Sequence, residues 1–200
     1  MIDNLTSKPL QQTTISLRRL TPMNWQQRGI GISRIIFGLA WAVAALLKWQ
    51  PQFQNTFVQQ ISAASDGQPA PVMGWISFWT KLVSVNPLLF ARIEASLETA
   101  IAAFLIFGIL SNLTFIVGIL LSLGIWSIPE GFGGPLIPGQ STDIGTAFPY
   151  AVLFALLLCV SAGRYYGVDQ WLTSRLGRLG FLASGSIKRS RKSGPYDAPV

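Results

Sequence analysis

The stretch SRIIFGLAWAVAALLKW, residues 33–49, governs how the rest of the chain is read. No charge falls between Arg34 and Lys48. Extended back to Gly29, the segment approaches the roughly 20 apolar residues that cross a bilayer. Arg34, Gly38, Trp41, Ala45 and Lys48 follow one another at i, i+4, i+7, i+11 and i+14, which places them on one helical face with a cation near each end.

Composition points the same way. Half of the 200 residues are hydrophobic and only 12% are charged, against about 25% in soluble domains. The chain reads as an all-α integral membrane protein. It has no His and a single Cys, Cys159. That excludes an internal disulfide, a Cys/His zinc site, a Cys-ligated iron–sulfur cluster and a His-ligated haem. Redox chemistry therefore needs a diffusible cofactor or a partner.

Three further segments, 89–110, 113–128 and 144–163, match the first in character. Ser111-Asn112 is the obvious turn between the second and third, so the expectation is an antiparallel four-transmembrane-helix bundle. The first span lies too far from the start for a cleavable signal peptide. Four spans put both termini on one side, with Lys8, Arg18, Arg19, Arg28, Arg34, Arg164, Arg175, Arg178, Lys188, Arg189, Arg191 and Lys192. Lys48, Lys81 and Arg92 fall on the other. The positive-inside rule then makes both termini cytoplasmic, in a multi-pass protein of the plasma (inner) membrane. The basic tail reads as an anchor to anionic lipid, not as a nucleic-acid arm.

Residues 51–86 read as two short interfacial helices in the first outer loop, joined by a turn over 66–71. Phe53, Phe57 and Ile61 form one apolar stripe; Val72, Trp75, Ile76, Trp79, Leu82 and Val83 form another, with Ser77, Lys81 and Ser84 opposite. Tyr165, Val168, Trp171, Leu172 and Leu176 suggest a further interfacial helix on the inner face. The expected organisation is a cytoplasmic segment 1–24, a membrane domain 25–173 and a basic cytoplasmic tail 174–200 that is disordered at its end.

Ionisable residues within a span are costly and so are functional candidates. In FARIEASLETAIAAF, residues 90–104, Glu94 and Glu98 share a helical face at the depth of Lys48. A Lys48–Glu94 or Lys48–Glu98 pair keeps them charged; alternatively the two carboxyls share a proton. A structural ion pair and a proton-handling site are both open. Arg34 is either a site residue or a cation snorkelling to the interface, and Arg92 reads as an interfacial anchor. Gly118 and Ser122 look like a small-residue packing seam, and Cys159 like a packed thiol.

The outer loop PEGFGGPLIPGQSTDIGT, residues 129–146, is no phosphate cradle. Its glycines are followed by Pro135 and Pro138, with no Lys-Ser/Thr pair and two acids that repel phosphate. Ser141, Thr142 or Asp143 suits the cap of the fourth helix, or Thr146 with Pro149 in the first turn. Glu130 follows the third span, where a carboxylate meets the unfavourable end of the helix dipole. It is expected to pair with Lys48, Lys81 or Arg92 instead, under a loop folded back as a lid.

The first span, with an Arg, a Gly four residues on and a closing Lys, resembles the DoxX-type signature. The loop EGFGGPLIPGQSTDIGTAFPY (130–150), followed by VDQWL (168–172), is similar to the DoxD branch, the small subunit of thiosulfate:quinone oxidoreductase. The resemblance spans about residues 25–173. It implies a four-helix membrane bundle linked to quinone-coupled sulfur oxidation, working with a DoxA-like subunit and using quinone as cofactor. In that reading Glu94 and Glu98 handle quinol protons. Arg34, Trp41, Lys48, Arg92, Glu130 and Asp143 contact the substrate or the quinone. The alternative is a non-catalytic subunit that anchors or scaffolds a larger membrane redox complex through its Trp-rich outer surface.

Overall fold

The computed structural model describes residues 24–136, 141 and 143–184. Expectations for residues 1–23, for 137–140 and 142 of the outer loop, and for the tail 185–200 lie outside these residues. Among the described residues every regular element is helical: α1 (Trp25–Lys48), α2 (Pro51–Ala63), α3 (Ala70–Ser84), α4 (Pro87–Phe107), α5 (Ser111–Ser127), α6 (Ala147–Cys159) and α7 (Asp169–Arg175), with short 3-10 turns after α5, α6 and α7. The four predicted apolar segments correspond to α1, α4, α5 and α6, and the two outer helices to α2 and α3.

Local chemistry sets the helix starts. Asn24 and Gln27 form a reciprocal capping box at the head of α1. Pro51, Pro71 and Pro87 occupy the first turns of α2, α3 and α4, where no donor is lost. The Asn86 side chain accepts from Leu89 N at 3.2 Å and caps α4. That helix ends at Gly108, whose φ of 64° is the left-handed conformation that glycine adopts without strain.

By length and composition, α1 is the one described helix long and apolar enough to cross a bilayer. The 21-residue α4 carries Arg92, Glu94 and Glu98. The 17 residues of α5 and 13 of α6 reach about 26 and 20 Å at the α-helical rise, short of a hydrocarbon core of about 30 Å.

The face of α1 marked by the sequence is the buried one, comprising Gly31, Arg34, Phe37, Gly38, Trp41 and Ala45. It lies against α4. At Gly38 an added Cβ would come within 2.9 Å of Leu105 Cβ, so glycine sets the closeness of the two backbones. Between α5 and α6, Gly118 faces the Phe154 ring and Ser122 is fully buried, as the small-residue seam requires. Phe37, Trp41, Leu105, Phe115, Phe154 and Leu157 form the shared core. The opposite flanks are apolar and exposed: Ile32, Ile36, Leu39, Val43 and Leu46 on α1, Ile116 and Leu120 on α5, Val152 and Leu156 on α6.

Three expectations need correction. The turn between the second and third apolar segments is 108–110, with Leu110 also left-handed, and Ser111-Asn112 open α5. The Asp169 carboxylate makes this possible by accepting from Ser111 N, which no earlier carbonyl reaches. Cys159 is exposed at the last residue of α6 and is not a packed thiol. The inner-face helix is only Asp169–Arg175, because Tyr165 is extended and Tyr166 is left-handed.

Candidate functional site

Lys48 is the last residue of α1, and α4 runs antiparallel beside it, presenting Glu94 and, one turn deeper, Glu98. Lys48 Nζ is hydrogen-bonded to Glu94 Oε1 and lies 3.1 Å from Glu98 Oε1. The pairing expected across helices thus forms with both carboxylates at once. The ammonium also sits 4.9 Å from the centre of the Phe53 ring on α2, a cation–π contact.

Glu98 is only 2% exposed, and its second oxygen has no hydrogen-bond partner among the described residues. A carboxylate so enclosed stays charged only while its cation stays in place. Trp41 Nε1 is likewise buried and without a partner. The Trp41 ring stacks edge-on against Phe37 and Phe154, with centroids 5.7 and 5.1 Å away, and tilts against Tyr150.

Three cavities meet around this group. An outer one of about 570 Å³ lies under α2, between Gln52, Thr56, Gln60 and Phe57 on one side and Lys48, Glu94 and Glu130 on the other. An inner chamber of about 290 Å³ is bounded by Trp41, Lys48, Glu98, Glu130, Thr146 and Tyr150. A third, about 370 Å³ and almost wholly apolar, runs past Trp79, Phe90, Leu97 and Leu121 and ends at Glu94. Ile125 of α5 forms part of all three. The arrangement offers a polar, titratable end and an apolar side branch, a combination that suits small amphipathic ligands. It holds one cation against Glu94, Glu98 and Glu130, so it does not favour an anionic ligand.

Glu130 is not ion-paired as expected. Its carboxylate accepts from Ala147 N at 3.2 and 3.0 Å and from the Thr146 hydroxyl, and so caps α6 from outside that helix's own sequence. The acid avoids the unfavourable end of α5 by meeting the favourable end of α6. Thr146 holds the N-cap position of α6 without making the side-chain cap bond. Asp143 accepts from Gly145 N at 2.9 Å in a local turn. The described part of the loop is docked on the α2–α3 turn, where Gln68 Nε2 donates to Gly131 O at 3.0 Å, and Trp126 Nε1 donates to Ile144 O at 2.7 Å. Arg92 is exposed and lines none of the three cavities.

Arg34 is not brought to this group. It lies fourteen residues before Lys48, at the other end of α1, and is fully buried. Its guanidinium donates to Leu105 O at 2.6 Å, Tyr166 O at 3.1 Å and Tyr165 O at 3.2 Å. Three carbonyls near helix ends are satisfied by one side chain, and α1, α4 and the segment after α6 are tied together. Sequence reasoning missed Asp169, also fully buried, whose Oδ2 accepts from Ser111 N and Ser184 N, each at 2.9 Å. A lone acid in a polar connector carries no periodic signal. The hint was its place in VDQWL (168–172), in a segment otherwise rich in aromatic and basic residues.

No protein-family model, curated protein or solved structure matches this chain. Among the described residues no three His, Cys, Asp or Glu side chains are grouped to hold a metal ion.

Proposed function

We propose that the chain is a DoxX/DoxD-like membrane subunit of a quinone-linked sulfur-compound oxidoreductase, with thiosulfate as the electron donor to the complex. α1, α4, α5 and α6 are its four spans, and both termini are cytoplasmic. The exposed aliphatic flanks of α1, α5 and α6 support the bilayer setting, since a soluble surface of that composition would associate. The observation that carries the redox reading is the Lys48–Glu94–Glu98 group, with Glu98 buried, set between a chamber lined by Trp41, Glu98 and Tyr150 and an apolar cavity that reaches Glu94. In this reading the quinone ring lies in the chamber bordered by Trp41 and Tyr150. Reduction of the quinone to the quinol takes two electrons from the partner subunit and two protons. Glu98 relays those protons, picking each one up from the outer cavity by way of Glu94 before passing it on, and Lys48 stabilises the carboxylate left between transfers.

The surplus of carboxylates disfavours a sulfur anion in this pocket. Thiosulfate is then oxidised on a partner subunit of DoxA type, and two electrons pass to the quinone held here. Arg34, Arg92 and Asp143 have no part in the proposed pocket. The test is quinone reduction by the complex carrying Glu98→Gln, in native membranes. That substitution leaves Lys48 paired with Glu94, so the fold persists. Turnover should fall by about 10²–10⁴-fold, the usual worth of a positioned acid–base group. Unchanged turnover removes the role. A scaffold reading is favoured by the exposed Trp75 and Phe78 on α3; it predicts that Trp75→Ala releases partner subunits while Glu98→Gln does nothing.

A further inference from the structure

At the end of the molecule opposite Lys48, the segment after α6 folds into a compact cap over the α4–α5 turn. Val168 N donates to Phe107 O and Asp169 N to Gly108 O, each at 3.0 Å. Asn112 Nδ2 donates to Phe181 O at 2.9 Å, and Ser184 Oγ donates to Asn112 Oδ1 at 2.7 Å. These bonds fix the cap's orientation relative to the bundle, so what it exposes is set by the fold.

What it exposes is unusual for a polar connector. Trp171 is 55% exposed, Leu179 53% and Phe181 60%, with Tyr166 and Val168 beside them. The charged side chains within 160–184 are Arg164, Asp169, Arg175 and Arg178. Asp169 is buried under the cap, and the three arginines are all exposed. Arg175 lies over the Trp171 ring, 3.8 Å from its centre, which holds the guanidinium beside the apolar surface it borders. Arg28 and the exposed Trp25, at the start of α1, stand within two turns of Gly31, which abuts Tyr165 and Tyr166. An open notch of about 590 Å³ between Phe107, Tyr166, Val168 and Gln170 opens at the same end.

We infer that this cap is a binding surface for anionic phospholipid, in which aromatic rings enter the headgroup region and Arg164, Arg175 and Arg178 hold the phosphates. Two observations favour lipid over a protein partner. Exposed Tyr166 abuts Gly31 of α1, the neighbour of exposed Ile32, and lines one notch with exposed Phe107 of α4, so the aromatic surface borders the apolar flanks of both helices. The charge that borders them is of one sign, as at interfacial helices on anionic leaflets. The inference rests on the bilayer part of the proposed function and not on its quinone chemistry.

The test uses the full chain in mild detergent, offered equal phosphatidylglycerol and phosphatidylcholine, with retained lipid read by native mass spectrometry. Wild type should retain phosphatidylglycerol preferentially. The pair Arg175→Gln and Arg178→Gln should cut that preference roughly tenfold or more, by loss of two surface cations. The pair Arg175→Lys and Arg178→Lys should keep it, which separates lost charge from lost folding. An undiminished preference in the glutamine pair assigns lipid binding to residues beyond 184 and overturns the inference. Equal retention of both lipids by wild type, or retention of neither, also overturns it. Quinone reduction is a separate readout, so an inactive complex still decides this question.

Discussion

Lys48 of α1 and Glu98 of α4 meet at 3.1 Å across two antiparallel helices, and Lys48 also bonds to Glu94 one turn nearer the surface. One cation therefore serves two carboxylates at the junction of three cavities. The group is asymmetric: the Glu98 side chain is nearly enclosed with Lys48 as its partner, whereas the Glu94 side chain keeps 17% of its surface exposed.

That asymmetry orders a mutant series. Lys48→Met leaves two carboxylates facing each other without a cation and should cost about 3–5 kcal/mol. Glu98→Gln, which leaves the Lys48–Glu94 pair whole, should cost about 1–2 kcal/mol. Adding Glu98→Gln to Lys48→Met should recover part of the loss. Thermal unfolding in detergent ranks the three. A Lys48→Met variant as stable as wild type would mean that the pair contributes nothing.

Arg34 donates to three backbone carbonyls, of Leu105, Tyr165 and Tyr166. Arg34→Lys keeps the charge but loses the planar fork that reaches Leu105, Tyr165 and Tyr166 together. It should lower stability by about 3 kcal/mol, with hydrogen exchange rising first at 105–110 and 162–169. Quinone binding should be untouched. Loss of quinone with an unchanged exchange pattern would reverse the assignment.

Glu130 caps α6 through Ala147 N and Thr146. Glu130→Ala should cost about 1 kcal/mol, with faster exchange confined to the first turn of α6. Glu130→Gln, which keeps an acceptor, should lose less. An equal cost for both would point to charge pairing instead of capping.

The Gly38 contact makes a local packing test. Gly38→Ala pushes a methyl to 2.9 Å from Leu105 Cβ and should cost about 1–3 kcal/mol. Gly74→Ala on α3 meets nothing within 4 Å and should be neutral or stabilising by up to about 1 kcal/mol. Equal melting temperatures for the two variants would contradict the close α1–α4 approach.

Much of this is legible in the sequence. The face from Arg34 to Lys48 and the depth match of Lys48 with Glu94 and Glu98 follow from helical period and from direction of travel, which are local properties. The capping partner of Glu130 was not legible, because it belongs to a helix that begins seventeen residues later and is brought close only by the loop's path. The role of Arg34 was equally hidden. An arginine inside an apolar helix signals a polar need, yet whether a ligand or the protein's own carbonyls supply its partner is decided by where α4 ends. Asp169 and the exposure of Cys159 depend on the same tertiary detail.

Native mass spectrometry of the complex, drawn from its own membranes in mild detergent, tests the central claim most directly. The account predicts a bound quinone that is lost on Glu98→Gln together with Lys48→Met, and co-purification with a DoxA-like subunit. Recovery without quinone, as one subunit of a larger assembly that carries its own redox centres, would contradict it and leave the chain a structural partner.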